Sequence, residues 1–120
     1  MKFFLDTYAL VEISKGNKNF EKYIDSDVMT LKLNIAELYY SILVDFNDKT
    51  ADYFFKKFSN LAFALPLEII PKAMKIRREN RKKNLSYADC LGYAFALENN
   101  RLFLTGDKEF KDMKGVEFVR

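Results

Sequence analysis

Two short apolar runs near the ends of this chain, Phe3-Phe4-Leu5 and Leu102-Phe103-Leu104, each give way within three residues to an aspartate, Asp6 and Asp107. Runs this short and this continuous suit strands buried on both faces. Between them, apolar residues recur at helical spacing, as at Ile35, Leu38, Tyr39 and Ile42. The pattern predicts strands over 2–5, 28–31, 63–65, 101–105 and 116–119. It predicts helices over 7–14, 20–24, 34–44, 50–61, 68–83 and 86–99, with one or two helical turns over 108–113. Strands that alternate with helices call for a parallel or mostly parallel sheet of four to five strands, covered by helices. The length of 120 residues fits one domain.

Composition narrows the chemistry. The chain has no histidine, so Ser-His-Asp and Cys-His catalysis and imidazole acid–base work are excluded. Its one cysteine, Cys90, permits no internal disulfide and no cysteine-based zinc site, and it reads as a small buried residue. Catalysis, if any, falls to carboxylates, hydroxyls, amines or a bound metal. The net charge of +3 suits a polyanionic partner without requiring one. No apolar stretch approaches the roughly 18 residues that span a membrane. The opening apolar run is too short for a secretory signal. A soluble cytoplasmic protein is the expectation.

Four acidic residues stand at helix starts: Asp6, Glu37, Asp89 and Asp107. Capping alone accounts for each. Asn34 and Glu37, and Ser86 and Asp89, have capping-box spacing. Asp6 and Asp107 follow strands, where an N-cap is favoured. Topology adds a second reading. In a parallel sheet, the strand C-termini and the helix N-termini share one edge, where ligands bind. Asp6, Glu37 and Asp107 should meet there. Asp89 follows a helix, so this rule does not place it. Carboxylates crowded in one crevice repel one another, and a hard divalent cation such as Mg²⁺ or Mn²⁺ relieves that repulsion. Helix N-termini around such a site favour phosphate.

The residues also carry a resemblance. Phe4-Leu5-Asp6-Thr7, Ile35-Ala36-Glu37-Leu38, Ser86-Tyr87-Ala88-Asp89-Cys90-Leu91 and Phe103-Leu104-Thr105-Gly106-Asp107-Lys108-Glu109-Phe110 resemble, in order, the four acidic motifs of the PIN-domain ribonucleases. The closing Lys114-Gly115-Val116-Glu117-Phe118-Val119 is also similar to that family, and the compact length resembles the VapC toxins of type II toxin–antitoxin pairs. One departure stands out. Tyr8 occupies the position after Asp-Thr, where the family usually has Asn or Ser.

The resemblance implies a PIN-like α/β/α sandwich and a metal-dependent endoribonuclease. Asp6, Glu37, Asp89 and Asp107 would hold one or two Mg²⁺ or Mn²⁺ ions, with Asp6 and Asp89 the foremost ligands. Thr7, Thr105 and Ser86 would support them. The implied partners are an RNA substrate, a cognate antitoxin and a second copy of the chain. A basic run containing Arg77, Arg78, Arg81 and Lys82 either meets the RNA backbone or is a solvated helix face. Tyr39, Tyr40, Tyr53, Phe54 and Phe55 read as core and protein interface rather than as a base-stacking platform. Two other readings stay open: a PIN domain that acts by binding, and a PIN nuclease of RNA processing that is not a toxin. The early acidic residues of a phospho-acceptor domain are absent, and Tyr8 stands where a dehalogenase-type phosphatase has its second aspartate.

Overall fold

The computed structural model describes residues 1–120. Five strands, β1 (Lys2–Leu5), β2 (Asp27–Leu31), β3 (Ala62–Phe63), β4 (Leu102–Thr105) and β5 (Val116–Phe118), form one sheet in the order β3-β2-β1-β4-β5. Every neighbouring pair is parallel. The expectation of a mostly parallel sheet therefore holds in its strictest form. Six helices cover it: α1 (Thr7–Ser14), α2 (Glu21–Ile24), α3 (Lys32–Asp45), α4 (Asp48–Ser59), α5 (Ile69–Glu79) and α6 (Tyr87–Glu98).

Alternating strand residues separate two cores. Phe3, Leu5 and Leu104 face α1, α3 and α4, where they meet Leu10, Ile35, Leu38 and Phe58. Phe4, Leu31 and Phe103 face α5 and α6, where they meet Ile69, Ala73, Tyr93 and Phe95. This makes an α/β/α sandwich. Within the second core, Phe4 stacks on Phe103 with ring centroids 5.6 Å apart.

The strand order puts the switch point between β1 and β4. The chain winds from β1 toward β3 on one side, then returns to β4 on the other. Ligands of doubly wound sheets bind outside the strand C-termini at this point, and Asp6 and Asp107 follow β1 and β4.

Most bounds differ from expectation by one or two residues, α4 among them, which spans 48–59 rather than 50–61, and three differences bear on the site or the sheet. α3 starts at Lys32, two residues before Asn34, because Leu31 already supplies extended backbone at the N-cap. α5 ends at Glu79 rather than at 83: the Asn80 side chain donates to the Ile76 carbonyl at 2.9 Å and closes the helix. β3 is only two residues long and ends before Ala64.

Candidate active site

Four polar side chains are buried in this protein: Asp6, Thr30, Asn34 and Thr105. All four lie toward the C-terminal edge of β1, β2 and β4 or in the first turn of α3. A buried polar group is costly unless it is bonded, so this gathering marks the edge as more than a loop.

Asp6 leaves β1 in extended backbone and caps α1, its Oδ1 accepting from the Ala9 amide at 2.8 Å. Its own amide donates to the Leu104 carbonyl at 3.3 Å, which ties it to β4. Burial pushes its carboxyl up to about 7 from an ordinary 3.8, against the stabilising bonds from Thr105 and Ala9. The charges of Asp89 and Asp107 push the same way. Thr105 also accepts from the Asp107 amide at 3.1 Å, so one buried hydroxyl ties the Asp6 carboxyl to the backbone of Asp107.

Asp89 lies on the same edge for a topological reason. α6 leads into β4, which runs parallel to β1, so the helix must start at the edge where the strands end. There Ser86 and Asp89 form a reciprocal capping box, with bonds of 2.8 and 3.0 Å. Burial raises the Asp89 carboxyl, Ser86 lowers it, and the charges of Asp107 and Glu37 raise it again. A clamp draws the α5–α6 loop toward Asp107: Glu109 accepts from the Asn84 amide at 2.8 Å, and its carbonyl accepts from Lys83 at 2.9 Å. Asp107 itself caps the 3₁₀ turn Lys108–Phe110.

Glu37 is not held by a capping box, which corrects the sequence reading. Asn34 makes no cap; it sits inside the first turn of α3 and is buried. Its Nδ2 donates to Thr7 Oγ1 at 3.1 Å, and Thr7 donates to Glu37 Oε1 at 2.6 Å. A hydroxyl has one proton to give. Thr7 gives it to Glu37 and must therefore accept from Asn34, which fixes the amide orientation. Asn34 Oδ1 is then left without a partner, alone among the buried side-chain polar atoms. Sequence reasoning missed Asn34 as a site residue because its capping-box spacing gave a sufficient local explanation.

Tyr8 is committed elsewhere. Its ring lies against Gly106, where an added Cβ would come within 2.2 Å of it and 2.4 Å of the Val119 carbonyl. The Phe20 ring is 6.4 Å away and the Arg120 guanidinium 5.8 Å. Arg120 in turn donates to the Gly106 carbonyl at 2.9 Å.

Each of the four acids thus uses one carboxylate oxygen in a hydrogen bond: Asp6 with Ala9, Glu37 with Thr7, Asp89 with Ser86 and Asp107 with Glu109. Asp6 and Asp89 feel the charges of their acidic neighbours, yet no three of the four converge into a ready ligand cluster. The donor chemistry fits a hard divalent cation: all-oxygen, multiply anionic and beside an unpartnered amide oxygen. Cys90 is buried, and burial with the Asp89 charge pushes its thiol up, so it is a poor nucleophile.

An apolar groove lies elsewhere. About 660 Å³ in volume, it runs between α3 and α4 and is walled by Ile35, Tyr39, Tyr40, Leu43 and Phe55. Tyr40, Tyr53 and Phe55 are exposed there and nearby, whereas Phe54 packs on the first core. Arg78, Arg81 and Lys82 are exposed and Arg77 is half-buried. No helix is long and apolar enough to cross a membrane.

A family model described as PIN domain matches residues 3–116. No curated protein sequence matches the chain. Among solved structures, it is similar to Mycobacterium tuberculosis VapC20, described as a sarcin-ricin loop cleaving toxin: TM-score 0.81, 12% identity, 98% of this chain and 99% of that one covered. It is similar to VapBC2 from Rickettsia felis bound to a promoter DNA fragment, with TM-score 0.77, 17% identity and 100% of both chains covered. FitAcB from Neisseria gonorrhoeae is also similar, with TM-score 0.73, 20% identity and 98% and 96% covered.

Proposed function

The chain belongs to the PIN domain family, and from that premise we propose that it is a Mg²⁺- or Mn²⁺-dependent endoribonuclease, the toxin of a toxin–antitoxin pair. The observation that supports this reading is that Asp6, buried at the switch point, and Asp89 both feel the charge of Asp107, with Asp89 also acting on Asp6 and Glu37 on Asp89.

Asp6 and Asp89 would hold the metal, with Glu37 and Asp107 completing the set. Bound there, the ion supplies Lewis-acid chemistry: a more acidic water and charge neutralisation at phosphate. The chain's own groups do the rest. Asp6 is buried, so the site keeps bulk water from screening its charge. Thr105 steadies Asp6 and the Asp107 turn together, and Ser86 fixes the first turn of α6. Glu37, aimed by Thr7, accepts the proton of the attacking water through the oxygen Thr7 leaves free. The water oxygen adds to phosphorus as the P–O3′ bond breaks, and the leaving O3′ takes a proton from solvent, giving a 5′-phosphate and a 3′-hydroxyl. Arg77, Arg78, Arg81 and Lys82 meet the RNA backbone.

The α3–α4 groove suits the antitoxin. Its apolar wall offers exposed Tyr40 and Phe55 to an amphipathic segment. The exposed aromatic side chains beside it serve a homodimer.

Cleavage of single-stranded RNA by the unaltered chain, Asp6→Asn and Asp89→Asn tests the assignment. Mg²⁺-dependent cutting should be lost in both variants with the fold intact, and full activity in either would sink it.

A further inference from the structure

Tyr87 is the first residue of α6, two positions before Asp89, and 61% of it is exposed. The Arg77 guanidinium from α5 lies 4.2 Å from its ring centroid. Arg77 is half-buried, and its Nε donates to the Leu85 carbonyl at 3.3 Å. That bond steadies the guanidinium against one face of the ring. Most of the tyrosine is nevertheless open, so the other face is free.

A fixed cation under an open aromatic ring is a surface that a nucleobase recognises. The base stacks on the ring, and the guanidinium adds cation–π attraction and charge for an adjoining phosphate. The location fits. Tyr87 and Asp89 share the first turn of α6, about 3 Å apart along its axis but on opposite sides of it, so a base on Tyr87 belongs to a strand that crosses the helix N-terminus with a phosphate at Asp89. We infer that Tyr87, backed by Arg77, is a base-stacking subsite that holds an unpaired nucleobase beside the phosphodiester to be cut. The inference rests on the ribonuclease reading and deepens it. A base must leave its own stack to reach Tyr87, so the RNA is single-stranded or looped at that point.

The competing role for this pair is a brace between α5 and α6. The chain contains no tryptophan, so Tyr87→Trp places a single indole reporter in the subsite. In EDTA, a single-stranded oligoribonucleotide of mixed sequence should quench its emission, and the same strand annealed to its complement should not. With Mn²⁺ present, Tyr87→Ala should raise KM for the single strand about ten-fold, the size of one lost stack, with kcat little changed. Tyr87→Phe should restore KM. Calorimetric Mn²⁺ affinity of Tyr87→Ala should match that of the unaltered chain. Absent quenching, equal quenching by the duplex, or a Tyr87→Phe variant as weak as Tyr87→Ala would each overturn the subsite. Quenching in a chain that cuts no RNA would support the subsite and overturn the nuclease reading instead.

Discussion

Asn34 donates its side-chain amide to the Thr7 hydroxyl at 3.1 Å, and that hydroxyl is thereby free to give its only proton to Glu37. The relay joins α3 to α1 across the site. It offers a physical answer to Tyr8, which packs on Gly106 and contributes no small polar group. The polar group comes from α3 instead.

Asn34→Leu should break this relay. Outer-shell partners of metal ligands are typically worth about 10–100-fold in metal affinity. Mn²⁺ titration calorimetry should show a loss in that range. Thermal stability should hold or rise, because the substitution removes a buried, unpartnered amide oxygen. Unchanged Mn²⁺ affinity would make Asn34 a bystander.

Burial makes Asp6 a stability cost at neutral pH. Its folded carboxyl titrates near 7 and its unfolded one near 3.8. Between those values the folded state binds more protons, so stability falls as pH rises through the window. Asp6→Asn removes this term. In EDTA, denaturant unfolding should show little difference at pH 4. By pH 8 the variant should be more stable by about 4 kcal/mol, given roughly 1.4 kcal/mol per pKa unit. A gap that shrinks with rising pH would contradict the burial argument.

The sheet and the two aspartates that follow β1 and β4 could be read from the sequence, because runs such as Phe3-Phe4-Leu5 carry both the strand and its end. Asp89 could not be placed that way. Its position follows from α6 being the return crossover into β4, which requires the strand order. Asn34 was misassigned for a different reason: Leu31 and Asn34 both precede helical residues, and only the backbone shows that α3 begins at Lys32. The base-stacking pair was hidden because Arg77 and Tyr87 meet through α5–α6 packing, which no spacing reports.

Gly106→Ala should destabilise the fold. The added methyl meets the Tyr8 ring and the Val119 carbonyl well inside van der Waals contact. Overpacking of this kind typically costs about 1–3 kcal/mol. Adding Tyr8→Ala should relieve only part of it, because the backbone carbonyl cannot retreat as a side chain can. Thermal melts of the unaltered chain, Tyr8→Ala, Gly106→Ala and the double variant read this out, and full recovery in the double variant would argue against the carbonyl contact.

Neutralising Arg78, Arg81 and Lys82 together should flatten the salt dependence of single-stranded RNA binding. Each lost phosphate contact removes about 0.7 from the slope of log K against log salt concentration, so the full change is about 2. Fluorescence anisotropy across a salt series measures it. An unchanged slope would return these residues to a solvated surface.

The central claim is that four carboxylates from separate elements act as one metal site. Titrating Mn²⁺ into the unaltered chain and into Asp89→Asn by calorimetry tests it most directly, since Asp89 is the acid whose place depends on the whole topology. The account predicts saturable binding to the unaltered chain and at least a ten-fold loss in the variant, since losing even a partner of a metal ligand typically costs about 10–100-fold. No binding to the unaltered chain, or equal binding to both, would contradict it.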